Sequence, residues 1–192
     1  MKYISVFCGS SSGNESIYTQ QAALLGHAIA RRGYGIVYGG AHVGLMGAVA
    51  NGALDEGGKV IGVIPEFLKK KELQHQGLSQ IHVVETMHER KALMGELCDG
   101  VIALPGGYGT LEELFEMLTW AQLAIHKKPV GLLNIDGYYD PLIKMTETMI
   151  DKGFLKEEYR DLLLVSDDVD ILLDKMEAFV PLLNDKWFKP VG

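Results

Sequence analysis

The stretch Gly100-Val101-Ile102-Ala103-Leu104-Pro105-Gly106-Gly107-Tyr108-Gly109-Thr110-Leu111-Glu112-Glu113-Leu114-Phe115-Glu116 passes from a strand, through a glycine turn, into a helix. Residues 100–104 are wholly apolar, as in a strand buried on both faces. Leu111, Leu114, Phe115 and Leu118 then recur at helical spacing. Between the two lie three glycines in four positions, closed by Thr110. Glycine has no Cβ, so backbone N–H groups at such a turn can come close to a ligand. The helix start adds unpaired N–H groups and a partial positive charge, which together favour a phosphate. Glu112 and Glu113 fall in the first turn, beside that anion pocket. Thr110-x-x-Glu113 also fits a capping box, in which the two side chains satisfy the helix's own orphan N–H groups. Ligand loop and helix cap are both open on these residues alone. Neither a third fingerprint glycine nor a Gly-Lys-Ser/Thr follows, so this is not one of the two common nucleotide loops.

Outward from this unit the pattern repeats. Strands are expected at residues 3–8, 35–38, 59–64, 81–84, 129–133 and 162–165, besides 100–104. Helices are expected at residues 17–32, from the glycines near 44 to 56, at 87–98, from the glycine turn to 125, at 139–152 and at 169–180. Residues 66–80 are polar, lysine-rich and weakly patterned, and read as a long loop or broken helix. Alternating strands and helices imply an α/β fold: a Rossmann-like open parallel sheet with helices on both faces. Such sheets bind ligands at the carboxyl ends of their strands, where the strand order reverses. Glycine-rich loops after the first, second and fifth strands are expected to meet there. One domain over residues 1–192 fits the length, and no repeat or linker interrupts it.

The net charge of −7 argues against broad nucleic-acid or anionic-membrane binding, though not against a small anion held by local donors. No apolar run reaches membrane-spanning length, and residues 2–7 look like a core strand rather than a signal peptide. Cys8 and Cys98, far apart and without metal spacing, suit a reducing cytoplasmic setting. The six histidines show no ligand spacing, so no metal is expected. In Thr86-Met87-His88-Glu89-Arg90-Lys91, Thr86-x-x-Glu89 is a second capping box. Arg90 and Lys91 sit where positive charge opposes the helix dipole, a penalty that a bound anion would reverse.

Taken together, these residues resemble the LOG ("lonely guy") family of cytokinin-activating phosphoribohydrolases. The resemblance rests on Pro105-Gly106-Gly107-Tyr108-Gly109-Thr110-x-x-Glu113, Met87-His88-Glu89-Arg90-Lys91, Cys8-Gly9-Ser10-Ser11, Tyr38-Gly39-Gly40, Gly44-Leu45-Met46-Gly47 and Thr119-Trp120-Ala121-Gln122-Leu123. It implies a usually dimeric enzyme that cleaves the N-glycosidic bond of a nucleoside 5′-monophosphate, releasing adenine or an N6-substituted adenine and ribose 5-phosphate. It further implies Arg90 and Glu113 as the catalytic pair. Gly106, Gly107, Tyr108, Gly109 and Thr110 would surround the phosphate, with Ser10, Gly40, Glu72, Met87, Lys91 and Glu112 completing the substrate site. No cofactor is implied.

The chemistry is consistent with that assignment. Breaking C1′–N9 builds oxocarbenium character at the ribose, which a nearby carboxylate stabilises. Glu113 is the candidate, with Arg90 expected to hold it ionised and oriented. Relatives have often been labelled lysine decarboxylases, but decarboxylation needs an electron sink, normally pyridoxal phosphate on a lysine, and nothing marks such a lysine. The remaining alternative is a non-catalytic carrier of a nucleotide or phosphorylated cofactor, since glycine loops serve both ends.

Overall fold

A computed structural model describes residues 1–69 and 74–182. Among the described residues seven strands form one all-parallel sheet: β1 (Tyr3–Phe7), β2 (Gly35–Tyr38), β3 (Val60–Pro65), β4 (Gln80–Val84), β5 (Gly100–Ala103), β6 (Val130–Leu133) and β7 (Leu163–Ser166). Their order is β4-β3-β2-β1-β5-β6-β7. The order therefore reverses between β1 and β5, which pair from Ile4 with Gly100 to Phe7 with Ala103. The carboxyl ends at Cys8 and Leu104 lie side by side, the place where such sheets open a crevice.

The helices are α1 (Ser16–Arg31), α2 (Gly44–Asp55), α3 (Glu66–Lys69), α4 (Met87–Leu97), α5 (Tyr108–Gln122), α6 (Asp140–Asp151) and α7 (Val169–Glu177). Strand side chains alternate between faces, and this divides the core in two. Ile4, Val6, Ile36, Tyr38 and Ile102 pack with Leu25, Ile29, Val49, Leu172 and Leu173 of α1, α2 and α7. Phe7, Val37, Val63, Val101 and Val130 pack with Met94, Leu114 and Met117 of α4 and α5, with Leu142 and Ile143 of α6 alongside. Both faces of the central strands are thus apolar, which is why they read as unbroken hydrophobic runs. Edge strand β4 is only part-buried.

The expected elements are all present, with shifted boundaries. Residues 66–80 hold the four-residue α3, an isolated bridge from Ala41 to Gln74 and the start of β4. Two 3-10 turns, Ile135–Gly137 and Glu157–Leu162, had no signal in the periodicity. Helix α5 starts at Tyr108, inside the glycine turn rather than after it. Among the described residues no helix is long and apolar enough to cross a membrane.

Candidate active site

Three loops meet at the β1/β5 crevice, as the order of glycine turns suggests. Gly9 N–H donates to Pro105 O (3.0 Å), and Leu45 N–H donates to Gly9 O (3.2 Å). Gly44 has φ +59°, and a Cβ there would lie 2.3 Å from Ser10 O, so only glycine lets the β2 loop close on the β1 loop. Two adjoining cavities result. One, of about 220 Å³, is lined by Cys8, Gly9, Ser10, Met46, Met87, Arg90, Gly107, Gly109, Thr110 and Glu113. The other, of about 350 Å³, runs along Ser10–Gly13 and is bounded by Tyr18, Pro105, Gly106, Gly107 and Tyr138. Gly9, Ser10 and Gly107 border both. A larger cavity of about 750 Å³, lined by His42, Glu66, Lys69 and His75, contains none of the residues of the glycine turn before α5.

Gly107 is the N-cap of α5 and makes no side-chain cap bond. Thr110 is therefore the third residue of the helix, and the capping-box reading of Thr110-x-x-Glu113 is corrected. The threonine is buried, and a Cβ on Gly106 would lie 2.1 Å from its Oγ1. The side chain supports the turn from beneath, while the N–H groups of Gly107 through Thr110 have no intrahelical acceptors. A phosphate placed there would meet both these donors and the positive end of the helix dipole.

Helix α4 presents the cations. Thr86 caps it, accepting Glu89 N–H at 3.1 Å, and Glu89 Oε2 accepts Glu85 N–H at 2.9 Å, one residue before the usual capping-box partner. Replacing Thr86 by alanine is expected to cost about 1 kcal/mol, read as a lower urea midpoint; an unchanged midpoint would rule out a contribution from the cap. Arg90, in the next turn, is 7 % exposed. Among the described residues its Nε is buried without a partner, and Nη1 makes a single 3.9 Å contact, to Met87 Sδ. A buried guanidinium with unmet donors, in a cavity shared with the helix start, is ready to receive an acceptor.

Lys91 behaves otherwise. Its ammonium is bound by Glu112 and, at 3.1 Å, by Glu116, which tie α4 to α5. The carboxylates and burial act on it in opposite directions, and the net effect raises its pKa. Lys91 and Glu112 thus neutralise each other beside the cleft.

Glu113 lines the cavity with Arg90, but no ion pair joins the two. Burial pushes its carboxyl up to about 7; the positive charge of Arg90 opposes this, and Glu112 reinforces it. Arg90 thus favours the ionised carboxylate, but desolvation outweighs the cation and the net shift is upward. The same surroundings, burial first and Glu113 second, raise the Cys8 thiol far above its ordinary value.

Of the residues expected in the site, Ser10, Met87, Arg90, Gly107, Gly109, Thr110 and Glu113 line the inner cavity, and Gly106 borders its neighbour. Lys91 and Glu112 form their pair outside both linings, and two further residues are also placed elsewhere. Tyr108 is 94 % exposed and lines neither cavity. Gly40 is buried against Gly62 and Ile64 of β3, with its carbonyl accepting His75 N–H. Glu72 lies outside the described residues, as do Trp187 and Phe188 of the tail. Residues not anticipated include Tyr18, Tyr138 and Gly39. The last faces Arg90 so closely that a Cβ would lie 2.1 Å from Nη2. A glycine doublet at the end of β2 was its only signal.

Fold and cleft together define a Rossmann-like protein with an open helix start, an arginine whose Nε has no partner among the described residues, and a high-pKa carboxyl at one switch point. The family model described as "possible lysine decarboxylase" matches residues 46–176. Relatives include cytokinin riboside 5′-monophosphate phosphoribohydrolases: one from Arabidopsis thaliana is 46 % identical over 95 % of this chain and 85 % of its own. Another, from Oryza sativa subsp. japonica, is 47 % identical over 93 % of this chain and 74 % of its own. The chain belongs to this family, the LOG family. Among solved structures, the molybdenum cofactor carrier protein of Chlamydomonas reinhardtii shares the fold, with a TM-score of 0.70, 24 % identity, and coverage of 93 % and 99 % of the two chains. A molybdenum cofactor binding protein from Rippkaea orientalis is similar at a TM-score of 0.69 and 22 % identity, over 92 % and 96 % of the two chains.

Proposed function

We propose that this protein hydrolyses the N-glycosidic bond of N6-substituted adenosine 5′-monophosphates, and of AMP itself, to the free base and ribose 5-phosphate. The observation that carries the reading is the meeting of Glu113, Arg90 and the open start of α5 in one cavity. The 5′-phosphate lies against the N–H groups of Gly107, Tyr108, Gly109 and Thr110, so the exposed Tyr108 contributes its backbone only. Met46 and Met87 supply apolar wall, and Arg90 takes up an acceptor of the bound nucleotide. Fixing the phosphate at one end holds C1′ against Glu113 at the other. As C1′–N9 breaks, its electron pair leaves with the base and positive charge grows on the ribose. The ionised form of Glu113 stabilises that charge and can take a proton from the water whose oxygen bonds to C1′, while the departing base takes up one proton, so that one water is consumed for each bond broken.

A carrier would need the phosphate grip but not a high-pKa acid beside an unpartnered arginine, and the carriers named above are alike in fold alone. Incubation with AMP, an N6-isoprenoid AMP and adenosine, followed by chromatography, tests the proposal. Base and ribose 5-phosphate are expected from both monophosphates, and little base from adenosine. Equal cleavage of adenosine, or binding of AMP without release, would overturn it.

The active form is proposed to be a cytoplasmic homodimer. Both cysteines are free, as a reducing compartment favours. Helix α6 has no fully buried residue, and Met145 and Phe154 on and beside it are 51 % and 88 % exposed, an apolar surface that suits a second copy.

A further inference from the structure

Three successive carbonyls precede α5, and each is held by a different donor. Leu104 O accepts Tyr139 Oη–H (2.6 Å), Pro105 O accepts Gly9 N–H (3.0 Å), and Gly106 O accepts Tyr138 Oη–H (2.7 Å). A trans peptide carries its C=O and N–H on opposite edges, and the Gly106–Gly107 peptide is trans. Holding the Gly106 carbonyl therefore turns the Gly107 N–H away from Tyr138. Tyr138 borders only the cavity on the Tyr18 side, whereas Gly107 borders both. The amide is thus directed away from the Tyr138 side, and the other cavity that Gly107 borders is the one that holds Glu113.

Something has to impose that orientation. A peptide between two glycines has no Cβ on either side to resist rotation, and an N–H at a helix N-cap gains nothing from the helix itself. Tyr138 is in turn well placed to impose it. Asp136, two residues earlier, has φ 50° and ψ 38°, a left-handed conformation that persists only where surroundings over-determine it. Asn134 closes the turn by accepting Tyr139 N–H (2.7 Å) and donating to Asp140 Oδ1 (2.7 Å). The Tyr138 ring stands edge-on to Tyr139 at 4.9 Å and to Tyr18 at 6.0 Å.

We infer that Tyr138 is a positioning residue for the 5′-phosphate: its hydroxyl sets the Gly106–Gly107 peptide so that the Gly107 N–H points at the bound anion. The inference rests on the reading of this cleft as a nucleoside 5′-monophosphate site. The neighbouring tyrosine provides an internal contrast. Its carbonyl partner belongs to the peptide leading into Pro105, which has no N–H to direct. Tyr139, buried and outside both cavity linings, secures the end of β5 and no more.

Calorimetric titration of the full chain with ribose 5-phosphate, alongside thermal melting, tests this on the wild type, Tyr138→Phe and Tyr139→Phe. Tyr138→Phe keeps the ring packing and should melt close to the wild type. It should bind ribose 5-phosphate about tenfold or more weakly, since one hydrogen bond to a charged group is misdirected. The KM for AMP should rise in step, with a smaller change in kcat. Tyr139→Phe should melt lower yet bind ribose 5-phosphate within about twofold of the wild type. Unchanged affinity in Tyr138→Phe, equal losses in both variants, or no binding by the wild type would each overturn the inference. A wild type that binds ribose 5-phosphate in a Tyr138-dependent way but releases no base would uphold it, and would overturn the hydrolase reading instead.

Discussion

Glu113→Gln is expected to lower base release by about a thousandfold or more, while AMP binds within a few-fold of the wild type. Glutamine matches the shape of the carboxyl but cannot carry negative charge to face the ribose, nor take a proton from water. The start of α5, proposed to hold the phosphate, is untouched, so affinity should survive. Single-turnover release of adenine and equilibrium binding of AMP, measured on the same preparation, separate the two effects. Near-normal turnover would remove Glu113 from the chemistry.

The raised pKa adds two pH signatures. Burial holds the Glu113 carboxyl up to about 7; with the ionised form acting as proposed, kcat/KM should climb with pH and level off above about 7. This limb should be absent from the residual activity of Glu113→Gln. Stability runs the other way. The unfolded chain releases this proton near 4.5 and the folded protein near 7. Between those values the folded state holds the extra proton, so the contribution of this group to stability is fully present below 4.5 and is lost as pH rises through 7. Glu113→Gln should therefore melt higher than the wild type at about pH 8, by about 2–4 °C for each kcal/mol released, with the gain fading towards acid pH. A variant that melts lower at neutral pH would show that the buried acid contributes to stability rather than opposing it.

The second large effect is expected at a residue outside the glycine turn of α5. Gly39→Ala should reduce turnover about a hundredfold with little loss of melting temperature. The added Cβ would lie 2.1 Å from Arg90 Nη2, 3.3 Å from its Cζ and 2.9 Å from Met46 Sδ. All three are atoms towards the ends of flexible side chains, so the fold can yield by moving them, and the backbone at Gly39 is not left-handed. What is lost is the position of the guanidinium. If so, Gly39→Ala combined with Arg90→Ala should be no worse than Arg90→Ala alone, because both changes remove the same interaction. Additive losses, or a Gly39→Ala enzyme of normal activity, would show that Gly39 does not act through Arg90.

Much of this site could be read along the chain because its parts are local. A glycine turn between an apolar strand and a helical repeat marks the start of α5 wherever that helix packs. Thr86 and Glu89 cap α4 through bonds spanning only three or four residues. Local pattern was misleading at Thr110, where capping-box spacing coincided with a side chain buried under Gly106. It was silent at Tyr138, whose partner is 32 residues away.

The order of apolar runs and glycine turns was enough to dictate a parallel α/β sheet, to point to the β1/β5 opening and to mark Arg90 and Glu113, since each signal depends on neighbours within a turn or a strand. Packing of distant segments alone settled the electrostatic state of the cleft. Glu112 and Glu116 reach back to bind Lys91, Gly39 makes room for Arg90, and surrounding layers desolvate Glu113 until its proton is held to near neutrality. Burial and electric field at a point are sums over everything that surrounds it. Such sums exist only once the chain has folded.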